Sequence, residues 1–119
     1  MKQNDELERW YTRIPNTLIK RGKLTYKELA LYTYYKSFAG DNGYCNVTIR
    51  NVAKDLGMSS TTVIETRDSL INKKYIELEQ ISPRKFFIFI VDIWQENEDD
   101  FQKYKDVPKE KHHVPKSDI

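Results

Sequence analysis

Four consecutive hydroxyl residues, Ser59, Ser60, Thr61 and Thr62, follow closely on Gly57 and lead into an apolar-periodic stretch. Gly57 can take the left-handed conformation that ends one helix, and Ser59 or Ser60 can cap the next. Small hydroxyls and open backbone N–H groups at a helix N-terminus suit a phosphate oxygen or the edge of a base. Ser60 and Thr61 are the foremost candidates for such contacts. Thr62, beside Val63, is expected to be partly buried, and one of the hydroxyls serves only as a cap. Ile64, Glu65 and Asp68 follow on the same outward side. A carboxylate there repels phosphate but can accept a hydrogen bond from cytosine N4.

Cations flank this stretch on both sides. Arg50 and Lys54 lie four apart, one helical turn, on the side away from Ile49, Val52 and Ala53, where they either reach phosphate or form a solvated face. Arg67 can lay its stem on the core and pair with Asp68 or Glu65, so it is a weaker base reader. Lys73 and Lys74 close the second helix, where positive charge also complements the helix dipole. Arg84 and Lys85 form a basic hairpin turn, suited to phosphate or minor groove and equally to solubility.

The elements that must hold these residues follow from periodicity and punctuation. Residues 48–56 read as a helix with Ile49, Val52, Ala53 and Leu56 on one stripe. A second helix to about residue 73 carries Val63, Thr66 and Leu70 inward. Two helices joined by a short turn containing Gly form a helix-turn-helix pattern. Earlier, Thr25 with Glu28 has capping-box spacing and opens a helix to about residue 38, with Leu24, Leu31, Tyr35 and Phe38 on its apolar face. Residues 16–19 make one helical turn, residues 11–14 a short β-prone run, and AGDNGY at 39–44 a turn cluster. After Lys74 the period changes to two, giving strands over 75–81 and 86–93 around Ser82-Pro83-Arg84-Lys85. From residue 95 the chain turns polar, with a short helix through Phe101 and Tyr104 and then a charged, proline-containing tail.

Length and composition restrict the function classes. The 119 residues suit one modest core, here residues 11–94, with a charged lead-in at 1–10 and an extension at 95–119. No apolar run approaches a membrane span, and the polar N-terminus lacks the apolar region of a secretory signal, so cytoplasmic residence is expected. Cys45 is the single cysteine and has no partner for a disulfide or a thiolate metal site. His112 and His113 stand in the tail without supporting ligands. No catalytic constellation or phosphate loop stands out, so neither enzyme activity nor a cofactor is expected. The net charge is only +2, but residues 11–94 hold thirteen basic against eight acidic groups. The part that folds is therefore the part able to attract phosphate.

Three stretches carry a family resemblance. YTRIPNTLIKRGKLTYKE, FAGDNGYCNVTIRNVAKDLGMSSTTV and SLINKKYIEL resemble, in order, the opening, the centre and the exit from the recognition helix in the winged-helix domains of phage and plasmid replication proteins and related bacterial regulators. The likeness spans roughly residues 11–93. It departs from the pattern at Lys74, where the family usually has Gly, and at Glu65 and Asp68, where Arg, Lys or Gln is frequent. The expected fold is α+β: a three-helix core, a C-terminal two-stranded β-hairpin wing and a third short strand near residues 11–14.

The resemblance implies double-stranded DNA binding by the second motif helix, helped by the wing, in transcription regulation or replication initiation of a phage or mobile element. The alternative is a winged-helix module that binds replication or transcription proteins instead of DNA. Glu65, Asp68, the acidic tail and surplus aromatics among Tyr26, Tyr32, Tyr34, Tyr35 and Phe38 favour it. The same aromatics suggest a homodimer.

Overall fold

The computed structural model describes residues 11–20, 22–83 and 85–105, with the backbone alone for Lys85 and Tyr104. Five α-helices appear among them, α1 (Asn16–Ile19), α2 (Tyr26–Ala39), α3 (Ile49–Leu56), α4 (Ser60–Asn72) and α5 (Trp94–Lys105), with a short 3-10 helix at Gly40–Asn42. Three strands, β1 (Tyr44–Cys45), β2 (Ile76–Ser82) and β3 (Lys85–Ile90), form one antiparallel sheet in the order β1-β3-β2. This is the α+β winged helix-turn-helix expected from the sequence.

Local chemistry fixes the helix ends. Thr25 Oγ1 accepts the Glu28 N–H at 3.1 Å and Glu28 Oε1 accepts the Thr25 N–H at 2.8 Å, completing the capping box of α2. Thr48 and Ser59 cap α3 and α4 by accepting the N–H of Asn51 and Thr62, each at 3.1 Å. Gly57 ends α3 at φ 66°, and the Met58 N–H reaches back to the Ala53 carbonyl at 3.0 Å. The end of α4 uses the same geometry without glycine. Lys74 stands at φ 67°, its N–H donating to the Ile71 carbonyl at 2.9 Å and the Tyr75 N–H to the Leu70 carbonyl at 3.0 Å. An L-residue in this conformation costs about 1 kcal/mol relative to glycine.

The core lies where α2, α3 and α4 meet the inner face of the sheet. Leu31, Tyr32, Tyr35 and Ala39 of α2 are buried with Val52, Val63, Leu70, Ile76 and Ile88. Phe38, expected on the inner face, is 56% exposed, with its ring beside that of Tyr34, centroids 4.9 Å apart. Ala39, one residue later, takes the inward position at the helix end.

The third strand is not where the sequence placed it. Residues 11–14 form no strand, and the Arg13 guanidinium instead donates to the Tyr11 hydroxyl at 3.0 Å. The free edge of β3 is taken by β1, with Tyr44 opposite Phe89 and Cys45 opposite Ile88. Gly43, at φ 79°, makes the turn that delivers it, and its carbonyl accepts the Ile90 N–H at 2.8 Å. Alternation then separates the sheet faces. Cys45, Ile88 and Ile76 point inward, while Tyr44, Phe87 and Phe89 stack on the outer face with centroids 5.4–6.4 Å apart. Burial pushes the Cys45 thiol up to about 11.

The polar segment after β3 is more firmly held than an appended extension. In α5, Asn97 Oδ1 accepts the Thr17 N–H at 3.1 Å. Lys23 Nζ bridges Glu96 Oε1 and Asp100 Oδ2, each at 2.6 Å, and donates to Thr17 Oγ1 at 2.9 Å. The Tyr75 hydroxyl also donates to Glu96, at 3.2 Å. Burial pushes the Lys23 ammonium down, but Asp100 and Glu96 outweigh it and leave it raised. Acids of the segment read from the sequence only as a polar extension thus tie α5 to α1 and to the foot of β2.

Candidate nucleic-acid interface

Helix α4 is anchored by one face and open on the other. Val63, Thr66 and Leu70 are buried, at spacings of three and four. Ser60, Thr61, Ile64, Glu65 and Asp68 are exposed, with Ile64 at 37%. These outward positions form a continuous ridge along the first two turns. Among the described residues, Ser60, Thr61 and Glu65 make no side-chain hydrogen bond, so their polar atoms are available to a partner. Ser59 and Thr62 are engaged with each other. Besides accepting the Thr62 N–H, Ser59 Oγ donates to Thr62 Oγ1 at 2.9 Å, and Thr62 is half-buried.

That arrangement of a capped, half-open second helix after a glycine turn has a counterpart among known sequence families. Residues 22–76 match the model of a family described as a helix-turn-helix domain. The matched span runs from before α2, through both motif helices, to the first residue of β2. A solved structure described as "N-Terminal domain of DNA binding protein" shares the fold, with a TM-score of 0.58 and 11% identity. The likeness covers 87% of this chain and 92% of that one. No curated protein sequence matches.

In the helix-turn-helix, the cations divide into open and engaged groups. Arg50 and Lys54 are exposed on α3 and form no ion pair among the described residues. The one acid beside them on that helix, Asp55, accepts the Tyr34 hydroxyl at 2.6 Å. Burial, with the bond to Asp55, pushes the Tyr34 phenol up to about 12, so it remains the donor. Arg67 is drawn back from the ridge. Its side chain is 17% exposed, and Nη2 lies 3.2 Å from Asp68 Oδ1. The pair partly neutralises Asp68 and leaves Glu65 as the sharper negative charge on the helix.

Lys73 is engaged as well. Its Nζ lies 2.6 Å from Glu28 Oε1 and 3.2 Å from the Lys23 carbonyl. Ser69 Oγ also donates to Glu28, whose side chain is only 5% exposed. Lys74 is exposed at the entry to the wing. The Lys85 backbone pairs with Ser82 across the hairpin, and Arg84 lies outside the described residues, as do His112 and His113. The candidates that remain outward and unengaged are therefore Arg50, Lys54, Ser60, Thr61, Ile64, Glu65 and Lys74.

The sequence reading missed the Glu28 and Lys23 nodes. Each joins residues more than forty positions apart, and no local motif announces such pairing. The one signal was Glu28 itself, an acid at a helix position whose neighbours Leu31, Tyr32 and Tyr35 are all core.

Proposed function

We propose that the protein binds double-stranded DNA, with α4 entering the major groove and the β2–β3 hairpin touching the adjacent backbone. The observation that carries this reading is the outward ridge of α4, Ser60, Thr61, Ile64 and Glu65, left open while Val63, Thr66 and Leu70 are fixed in the core. Hydroxyls and helix N–H groups would hold phosphate or base edges, Ile64 would meet a thymine methyl, and Glu65 would accept from cytosine N4. Arg50 and Lys54 would pair with phosphates where the first motif helix crosses the backbone. The biological setting we infer is transcription control or replication initiation on a phage or bacterial mobile element, with the protein acting as a cytoplasmic homodimer and without catalysis of its own.

The test is fluorescence anisotropy with mixed duplex DNA across a salt series. Binding that weakens with a slope of about −0.9 per phosphate contact supports the proposal. Flat or undetectable binding at low salt would sink it.

A second reading has its own observation. Glu65, Glu77 and Glu79 are exposed carboxylates, and Tyr26 and Phe38 are 81% and 56% exposed. A protein partner with basic and apolar character would fit these surfaces. Affinity capture of a replication or transcription protein, with DNA binding absent, would favour that role.

A further inference from the structure

A concave feature lies apart from the α4 ridge, where α2, the exit of β3 and the first turn of α5 converge. It is an open cavity of about 290 Å³, and none of its lining residues belongs to α4. Ile90, Ile93 and Trp94 provide apolar wall, with Trp94 66% exposed. Tyr32, Lys36 and Asn97 provide polar wall.

The polar groups are short of partners. Lys36 is half-buried and makes no ion pair among the described residues; burial alone lowers its ammonium. Asp92 also lines the cavity, but its Oδ1 accepts the Trp94 N–H at 2.9 Å and it forms no salt bridge to Lys36. Asn97 uses its Oδ1 on the Thr17 N–H, which leaves its amide N–H₂ without a protein acceptor. Tyr32 is 1% exposed and its hydroxyl makes no bond to the protein. No fully buried polar side-chain atom among the described residues lacks a partner, so this hydroxyl has to open onto the cavity it lines.

Three residues with donor groups, one of them cationic, thus line the same cavity as apolar wall and an exposed indole, with the Asp92 carboxylate also at its edge. Lys36 is partly withdrawn from water and no carboxylate of the protein lies in direct contact with it, so a carboxylate supplied from solution would gain a charge-assisted hydrogen bond there. An aromatic ring carrying that carboxylate would gain by stacking on Trp94.

We propose that this cavity binds a small aromatic carboxylate, its carboxylate held by Lys36, Tyr32 and Asn97 and its ring packed against Ile93 and Trp94. The ligand would bridge α2 and α5 without touching the ridge of α4.

Titration of the full chain with benzoate, followed by ¹H–¹⁵N correlation spectra, tests this, with benzyl alcohol as the uncharged analogue. The expected result is saturable shifts at Tyr32, Lys36, Trp94 and Asn97 with a Kd of about 1 mM or tighter. Lys36→Met and benzyl alcohol should each weaken binding about ten-fold or more. Trp94→Ala changes an exposed position, keeps the fold if Lys36→Met does not, and should weaken binding about five-fold. Shifts that never saturate, or that scatter over surface lysines, would overturn the proposal. Equal affinity for benzyl alcohol, or unchanged affinity in Trp94→Ala, would do the same.

Discussion

Lys73 Nζ and Glu28 Oε1 meet at 2.6 Å, joining the end of α4 to the start of α2 across 45 residues of sequence. Glu28 is buried and serves three partners at once: the Thr25 N–H, the Ser69 hydroxyl and the Lys73 ammonium. Burial pushes its carboxyl up, but the bonds from Lys73, Ser69 and Thr25 outweigh it and hold it at about 2. The node adds a polar tie at the C-terminal end of α4 to the packing of Val63, Thr66 and Leu70.

Acid should therefore loosen the fold in a defined window. The folded carboxyl titrates below its unfolded value, so its stabilisation is complete above about pH 4.5 and is lost as pH falls toward about 2. The full shift corresponds to about 3 kcal/mol, less what solvent screening removes at half-exposed Lys73. Thermal melts of the wild type should fall steeply across that window. Glu28→Gln should start lower at neutral pH by about 2 kcal/mol and show a much flatter decline. Parallel pH profiles would refute the assignment.

The two left-handed helix ends make opposite predictions. Lys74→Gly should stabilise the protein by about 1 kcal/mol, because glycine adopts φ 67° without the steric cost of a Cβ. Gly57→Ala, at φ 66°, should destabilise by a similar amount although open space surrounds the position. Urea midpoints at unchanged m-value would measure both.

Removing the Lys23 bridge should free α5 selectively. In Lys23→Met, Glu96 and Asp100 lose their shared cation, and Thr17 loses a donor. Charge-assisted hydrogen bonds are worth enough that α5 amides should exchange about ten-fold faster or more. Amides of α2 and α4 should keep their protection. Uniform loss across all helices would instead place α5 within the global unfolding unit.

For DNA, Arg50→Ala with Lys54→Ala should weaken binding to all duplexes alike and reduce the salt slope by about two. Reversing charge at Arg84 and Lys85 should act in the same direction. Glu65→Gln should behave differently, raising affinity for mixed DNA while relaxing discrimination at one base position by about 1–3 kcal/mol. A selected-site binding assay separates these outcomes.

The sequence disclosed the parts of this fold that are encoded within a few residues. Thr25 with Glu28, Gly57 and Ser59 all act on N–H or C=O groups nearby, so they located the start of α2, the end of α3 and the start of α4, while Thr48, read as the first residue of α3, proves to be its cap. Lys74 could be recognised as an L-residue where a glycine is usual, and the Arg67–Asp68 pair is adjacent in sequence. What stayed hidden depends on distance. The two-residue strand Tyr44–Cys45 has too few residues to show a period and exists only because β3 offers an edge more than forty positions later. Within the candidate site, Ser60, Thr61 and Ile64 were legible from helical spacing. The withdrawal of Lys73 toward Glu28 was not, since the buried acid that claims it lies on another helix.

Cys45 offers an internal clock for the sheet. It is the one thiol in the sequence, it is 6% exposed, and burial holds its proton well above neutral pH. Alkylating reagents attack the exposed thiolate, so labelling has to wait until the short first strand parts from its neighbour. The rate of adduct formation in the unmodified protein therefore times the breathing of the wing root directly. Comparing that rate with and without duplex DNA would tell whether the proposed docking of α4 stiffens the sheet behind it.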